Sequence, residues 1–197
     1  GPQVDYAGHC ADLSRFTDGS VSEIYASHVL EHLRFKDELP AALREFYRVL
    51  QPGAMLRVSV PDLHTLCQLF LDPELSTLQR FQVMQMMFGG QTTDADTHYV
   101  GLDETFLGGY LGDAGFTGIT RVDAFNLFDD TSANMETAPS EMHGGVFSRS
   151  RRVVAEADDG VLLGKCLLES TQQVAGFVGE EVAPTCKLGF ALPVDDA

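Results

Sequence analysis

The chain has 197 residues, 44% of them hydrophobic, which suits one globular domain with a full core. Its net charge of −16 argues against nucleic acid as the main partner, because a phosphate backbone needs a basic surface, and it disfavours docking on an anionic membrane face. No apolar run is long enough to span a bilayer, and no signal peptide is visible.

Cys10, Cys67, Cys166 and Cys186 show none of the paired spacings of a zinc site or redox motif. Dispersed cysteines of this kind read as buried, reduced thiols of a cytoplasmic protein. The chain opens on Gly1-Pro2 without an initiator Met, which reads as a fragment or a processed product.

In chain order, Val4-Asp5-Tyr6 is a short strand candidate, followed by a loop from Gly8 to Phe16 and a turn at Thr17-Asp18-Gly19-Ser20. Glu23 to Ala26 is the next strand. A helix from Leu39 to Leu50 follows, with Leu39, Leu43, Phe46 and Leu50 on one face. Pro52-Gly53 stops it, and Met55 to Val60 alternates as a strand. Strand, helix and strand make a βαβ unit, so a parallel sheet is expected, with its ligand crevice at the carboxyl ends of the strands. Asp62 caps a helix with Leu63, Leu66, Cys67 and Phe70 on one face, ended by Asp72-Pro73. A second helix, about Leu78 to Phe88, carries Leu78, Phe81, Met84, Met87 and Phe88, its methionines serving as flexible core filler. After a polar loop to Val100, Asp103 caps a helix with Phe106, Leu107, Tyr110, Leu111 and Ala114, closed by Gly115. Ile119 to Phe128 and Val146 to Ala155 are further strands, the latter with Phe147, Arg149 and Arg151 on one side. The tail from Asp158 shows only a marginal helical pattern near Val161 to Val178.

The order of these features resembles the later part of a class I S-adenosylmethionine-dependent methyltransferase of type 11. The residues that carry the resemblance are His28, Val29-Leu30-Glu31-His32-Leu33, Ala42-Leu43-Arg44-Glu45, Arg48-Val49-Leu50, Pro52-Gly53 and Leu56 to Pro61. It extends to Met86-Met87-Phe88-Gly89-Gly90-Gln91, His98-Tyr99-Val100-Gly101 and Leu127 to Ser132, and covers Asp5 to Val154. It implies an α/β fold with a Rossmann-like, mostly parallel sheet, here missing its first strands, and a C-terminal hairpin strand. Residues 1–156 would be a partial methyltransferase domain and 157–197 a tail of unassigned structure.

The resemblance further implies S-adenosylmethionine as cofactor, small-molecule methyl transfer and a site in two parts. The adenine ring would meet His9, Cys10 and Ala11, with His9 standing where the family has Asp and lacking its carboxylate charge. Ser27 and His28 would lie beside the methionine part. The family's glycine-rich turn and ribose-binding acidic residue precede this sequence, so weak cofactor binding is expected. The same absence leaves an open sheet edge through which the chain could self-associate, unless the tail covers it.

Methyl transfer asks the protein for alignment and, with a poor nucleophile, a general base. His32, His98 and Tyr99 are the candidates for substrate contact. Two readings from other classes compete: a noncatalytic methyltransferase-like binding module, and a zinc metallohydrolase. The latter rests on His28, Glu31 and His32, which spell H-x-x-E-H. His28 closely follows a strand rather than sharing a helix face with His32, so no metal is expected at that pair.

Overall fold

The computed structural model describes residues 8–122, Phe125, 150–157, 174–177 and 187–191. Val4 to Tyr6, Leu127 to Ser132 and Val146 to Arg149 lie outside these residues. Among the described residues six strands form one sheet: β1 (Val21–Ser27), β2 (Leu50–Pro61), β3 (Phe116–Arg121), β4 (Ser150–Ala157), β5 (Val174–Phe177) and β6 (Lys187–Ala191). Their spatial order is β3-β4-β2-β1-β6-β5. Among the described residues four α-helices accompany it: α1 (Glu38–Val49), α2 (Leu63–Phe70), α3 (Thr77–Phe88) and α4 (Glu104–Ala114).

The β1–α1–β2 unit is the centre of the fold. β1 and β2 run parallel, from Glu23 opposite Met55 to Ser27 opposite Ser59. α1 begins at Asp37, whose side chain accepts from the Glu38 amide, and buries Leu39, Ala42, Leu43, Phe46 and Val49. Those residues join Ile24, Ala26, Leu56 and Val58 of the two strands in one core. The helix ends at Val49, one residue earlier than expected, and Leu50 already belongs to β2. Pro52-Gly53 therefore lies inside the strand as an irregularity. Two steps along β1, Val21 to Glu23, are matched by five along β2, Leu50 to Met55, and Gly53 takes φ +68 there. A residue with a Cβ would be strained at that angle.

The mostly parallel sheet expected from the βαβ pattern is realised only at this centre. The other four pairings among the described strands are antiparallel: β2 with β4, β3 with β4, β1 with β6, and β5 with β6. β3 and β4 supply the expected C-terminal hairpin-like layer. β6 occupies the edge of β1 that would otherwise be open, pairing Lys187 with Ser27 through Ala191 with Glu23. The self-association expected at that edge thus loses its template, because the backbone groups of β1 are already bonded on both sides. Val174–Phe177, expected within a marginal helix, is strand β5.

The helices on the far side depart from their predicted faces. α2 starts at Asp62, whose carboxylate accepts from Thr65 Oγ1 at 2.6 Å rather than from a backbone amide. Of its four predicted core residues, Leu66 alone is fully buried, and Cys67 and Phe70 are exposed. α3 carries a reciprocal cap between Ser76 and Gln79, but it buries Val83 and leaves Leu78, Phe81 and Phe88 exposed. α4 behaves as its caps predict. Asp103 accepts from the Phe106 amide at 2.8 Å, Gly115 closes the helix at φ +106, and Leu107 and Leu111 enter the core, while Phe106 points out.

Candidate active site at the ends of the central strands

Just past the parallel ends of β1 and β2 the chain turns sharply. His28 takes φ +53, a left-handed angle that costs a non-glycine residue on the order of 1 kcal/mol. Its amide donates to Ser59 O at 2.9 Å, which ties the turn to β2. The strained backbone lets the His28 ring fold back, so that Nδ1 donates to Glu31 Oε1 at 3.1 Å. Glu31 and His32 belong to a single 3₁₀ turn, Leu30–His32, rather than to the helix that H-x-x-E-H demands. The metallohydrolase arrangement of His28 and His32 on one helical face is therefore not formed.

A distant segment completes the cluster. Residues 97–102 run along the 3₁₀ turn and the end of β2. The Tyr99 amide donates to Glu31 O at 2.8 Å and the Leu63 amide to Leu102 O at 2.9 Å. This brings His98 against His32, ring centroids 4.7 Å apart and edge to face. His32 Nδ1 donates to Thr97 O at 3.2 Å, and His98 Nδ1 donates to Met86 O at 3.0 Å. One ligating atom from each of Glu31, His32 and His98 lies within 4.8 Å of the others. A small cleft opens beside them, bounded by Pro61, Leu63, Leu66 and Met87.

Glu31 is 2% exposed, and among the described residues its Oε2 has no hydrogen-bond partner. Burial opposes its ionisation. The hydrogen bond from His28 and the charges of His28 and His32 outweigh that, and the carboxyl lies below its ordinary range. His98 is pushed down, first by burial and then by the neighbouring His32, against the pull of Glu31.

Ser27 is buried at the end of β1, and Tyr99, although its backbone clamps Glu31, holds a half-exposed ring. The structure brings His28, His32 and His98 together around Glu31, which the sequence singles out only within the H-x-x-E-H pattern. Its position between two histidines was the available signal.

The loop at His9–Ala11 is anchored separately. His9 is exposed, its Nδ1 accepts from the Ala11 amide at 3.2 Å, and its carbonyl accepts from Asp12. Cys10 points into the core, where burial pushes its thiol up to about 12. Cys67, by contrast, is exposed. Brief iodoacetamide treatment of the native protein is expected to label Cys67 and spare Cys10, read by peptide mapping. Equal labelling of the two would contradict the placement of Cys10.

The two segments expected to face S-adenosylmethionine, His9 to Ala11 and Ser27 to His28, are both among the described residues. The Ala11 amide is engaged by His9 and the His28 amide by Ser59, so two backbone donors in them are already used. Beside β1 stands antiparallel β6, and among the described residues no glycine-rich turn leads into the sheet. The residues present do not complete the cradle.

Residues 2–58 match the family model described as a methyltransferase domain, type 11. No curated protein matches the chain. Among solved structures, a SAM-dependent methyltransferase from Thermotoga maritima, a possible histamine N-methyltransferase, is 18% identical over 77% of this chain and 62% of its own, with a TM-score of 0.49. A putative methyltransferase in complex with the Haloferax volcanii Trm112 methyltransferase activator is 14% identical over 77% and 60%, with a TM-score of 0.46. A SAM-dependent methyltransferase from Archaeoglobus fulgidus is 14% identical over 78% and 67%, also at 0.46. The chain thus spans 62% and 60% of the length of the first two. Residues 2–58, which run into the parallel β1–α1–β2 unit, are thus similar to the type 11 methyltransferase domain over that segment.

Proposed function

We propose that the chain provides the acceptor side of an S-adenosylmethionine-dependent transfer of a methyl group to a small-molecule substrate in the cytoplasm. The observation that carries this reading is the polar cluster at the carboxyl ends of a parallel strand pair that lies within, or just past, the matched segment. S-adenosylmethionine, when bound, supplies an activated methyl group. The protein's share is to align the acceptor and take up its proton.

In this reading His9, Cys10 and Ala11 face the adenine, and Ser27 and His28 face the methionine part. His32, His98 and Tyr99 meet the acceptor. Residues 1–156 act as the methyltransferase part, and the tail 157–197 adds its β5–β6 hairpin to the sheet. No helix among the described residues is long and apolar enough to cross a membrane. The antiparallel β6 on the edge of β1 is the one observation that favours the noncatalytic module instead.

Calorimetric titration of S-adenosylmethionine into this chain distinguishes the two. Two or three missing hydrogen bonds of about 1–3 kcal/mol each lower affinity by roughly a hundredfold or more. Weak saturable binding is expected, at about 0.1 mM or above, and it should fall further in His28→Ala. Micromolar binding indifferent to His28 and Cys10 would place the site elsewhere. No heat at any concentration, with no methyl transfer to a panel of amines and phenols, would favour the binding module.

A further inference from the structure

We infer that Glu31, His32 and His98 form a binding site for one divalent transition-metal ion of the zinc type. The inference stands on the donor set alone and does not depend on methyl transfer.

The two imidazoles are set as ligands by their other nitrogens. A carbonyl oxygen can only accept, so the bonds to Thr97 O and Met86 O require the proton of each ring to sit on Nδ1. In the neutral ring each Nε2 then keeps its lone pair, the form that a metal takes. A histidine ligand that donates its second nitrogen to a backbone carbonyl is the usual outer arrangement of zinc sites.

The carboxylate is prepared in the same way. Oε1 of Glu31 is held by His28, while Oε2 is buried without a partner among the described residues. An unpartnered carboxylate oxygen inside a protein costs more than it returns unless a cation or donor meets it. With His28 fixing one oxygen, the other serves as a single ligand.

The three donors arrive on two segments stitched together by the Tyr99–Glu31 backbone bond, so the site is built into the fold. Their mutual separations, up to 4.8 Å, exceed the roughly 3.3–3.5 Å that follows from metal–ligand bonds of about 2.0–2.2 Å at tetrahedral angles. Closing that gap on an ion requires small shifts of the two rings about their Nδ1 bonds. Two histidines and one carboxylate leave the fourth position open toward the cleft, as in zinc sites that also bind a small molecule. Nitrogen and carboxylate ligands without thiolate favour zinc, cobalt or nickel over magnesium or calcium.

The test uses chelator-stripped protein titrated with Co²⁺ and then with Zn²⁺ against a chromophoric competitor. One equivalent of Co²⁺ should produce visible d–d absorption without thiolate charge-transfer bands, and Zn²⁺ should displace it. His98→Gln and Glu31→Gln should weaken binding by at least about a hundredfold, and His28→Gln by about tenfold. His64→Ala, on exposed α2, should leave binding unchanged. The cobalt spectrum keeps the test decisive if a variant fails to fold, because it is read on the unaltered chain. Thiolate bands, absence of a one-to-one complex, or binding that survives Glu31→Gln and His98→Gln in folded protein would overturn the inference.

Discussion

Replacing Arg48 with Met should destabilise the protein by about 2–4 kcal/mol, read from urea unfolding followed by circular dichroism. The Arg48 guanidinium holds both oxygens of Glu45, at 2.7 and 2.8 Å, and donates to Phe16 O at 2.9 Å and Leu13 O at 3.0 Å. It also meets Asp18 at 2.7 Å, but that carboxylate is 81% exposed, and solvent screening leaves the contact worth little. Glu45 in turn accepts from the Leu13 amide at 2.9 Å. One side chain on α1 therefore pins the loop that contains the candidate adenine turn. Its removal leaves two backbone carbonyls without this donor and the Glu45 carboxylate with its bond from the Leu13 amide.

Arg48→Lys separates charge from shape. A lysine keeps the charge but lacks the planar fork, so it should recover less than half of the lost stability. If Arg48→Lys lies within about 0.5 kcal/mol of the unaltered chain, the fork is not what matters. The pair also sets a pH dependence. The hydrogen bond from Arg48 holds the Glu45 carboxyl below its ordinary value, against the opposing effect of burial. A depressed carboxyl contributes stability that is complete above its unfolded value near 4.5 and is lost as pH falls through the lower folded value. Arg48→Met should flatten that acid-side loss.

Gly89→Ala should be as damaging, at about 2–4 kcal/mol, and its damage should centre on the candidate site. Gly89 ends α3 at φ +80 and ψ 163, a conformation open in practice to glycine alone. A Cβ there would stand 2.0 Å from Asp96 O and 3.0 Å from His98 N. Neither atom belongs to a side chain that can swing away, and the Asp96 carbonyl is already bonded to the Gln91 amide. The segment that carries His98 must move.

Two neighbouring substitutions provide the scale. At Gly90 the added carbon meets Asp96 Oδ2 at 2.6 Å, and that side chain can move only by giving up its bonds from Thr92, so Gly90→Ala should cost about 1–2 kcal/mol. At Gly109, on the exposed face of α4, nothing lies within 4 Å, and alanine should stabilise by about 0.5–1 kcal/mol through helix propensity. Thermal or urea unfolding of the three variants should rank them Gly109→Ala, Gly90→Ala, Gly89→Ala in decreasing stability. Equal losses at Gly89 and Gly90 would show that the turn accommodates a side chain.

What the sequence by itself determined is the local and consecutive part of the fold. β1, α1 and β2 were legible because each is specified by its own residues: the spacing of Leu39, Leu43 and Phe46, the stop before Pro52, and the alternation after Met55. α4 was legible for the same reason, with Asp103 and Gly115 as caps satisfied within a few residues. Tertiary structure decided three other things. It chose Val83 over Leu78, Phe81 and Phe88 as the buried residue of α3, because apolar side chains surround that helix and periodicity cannot say which side meets the core. It set β6 antiparallel beside β1, a pairing that depends on a free edge and leaves no local pattern in five residues. Lastly, it joined His98 to Glu31 and His32. That contact exists only because α3 ends in a left-handed glycine and the following loop returns to bond the Glu31 carbonyl, a closure made by backbone geometry far from the residues it unites.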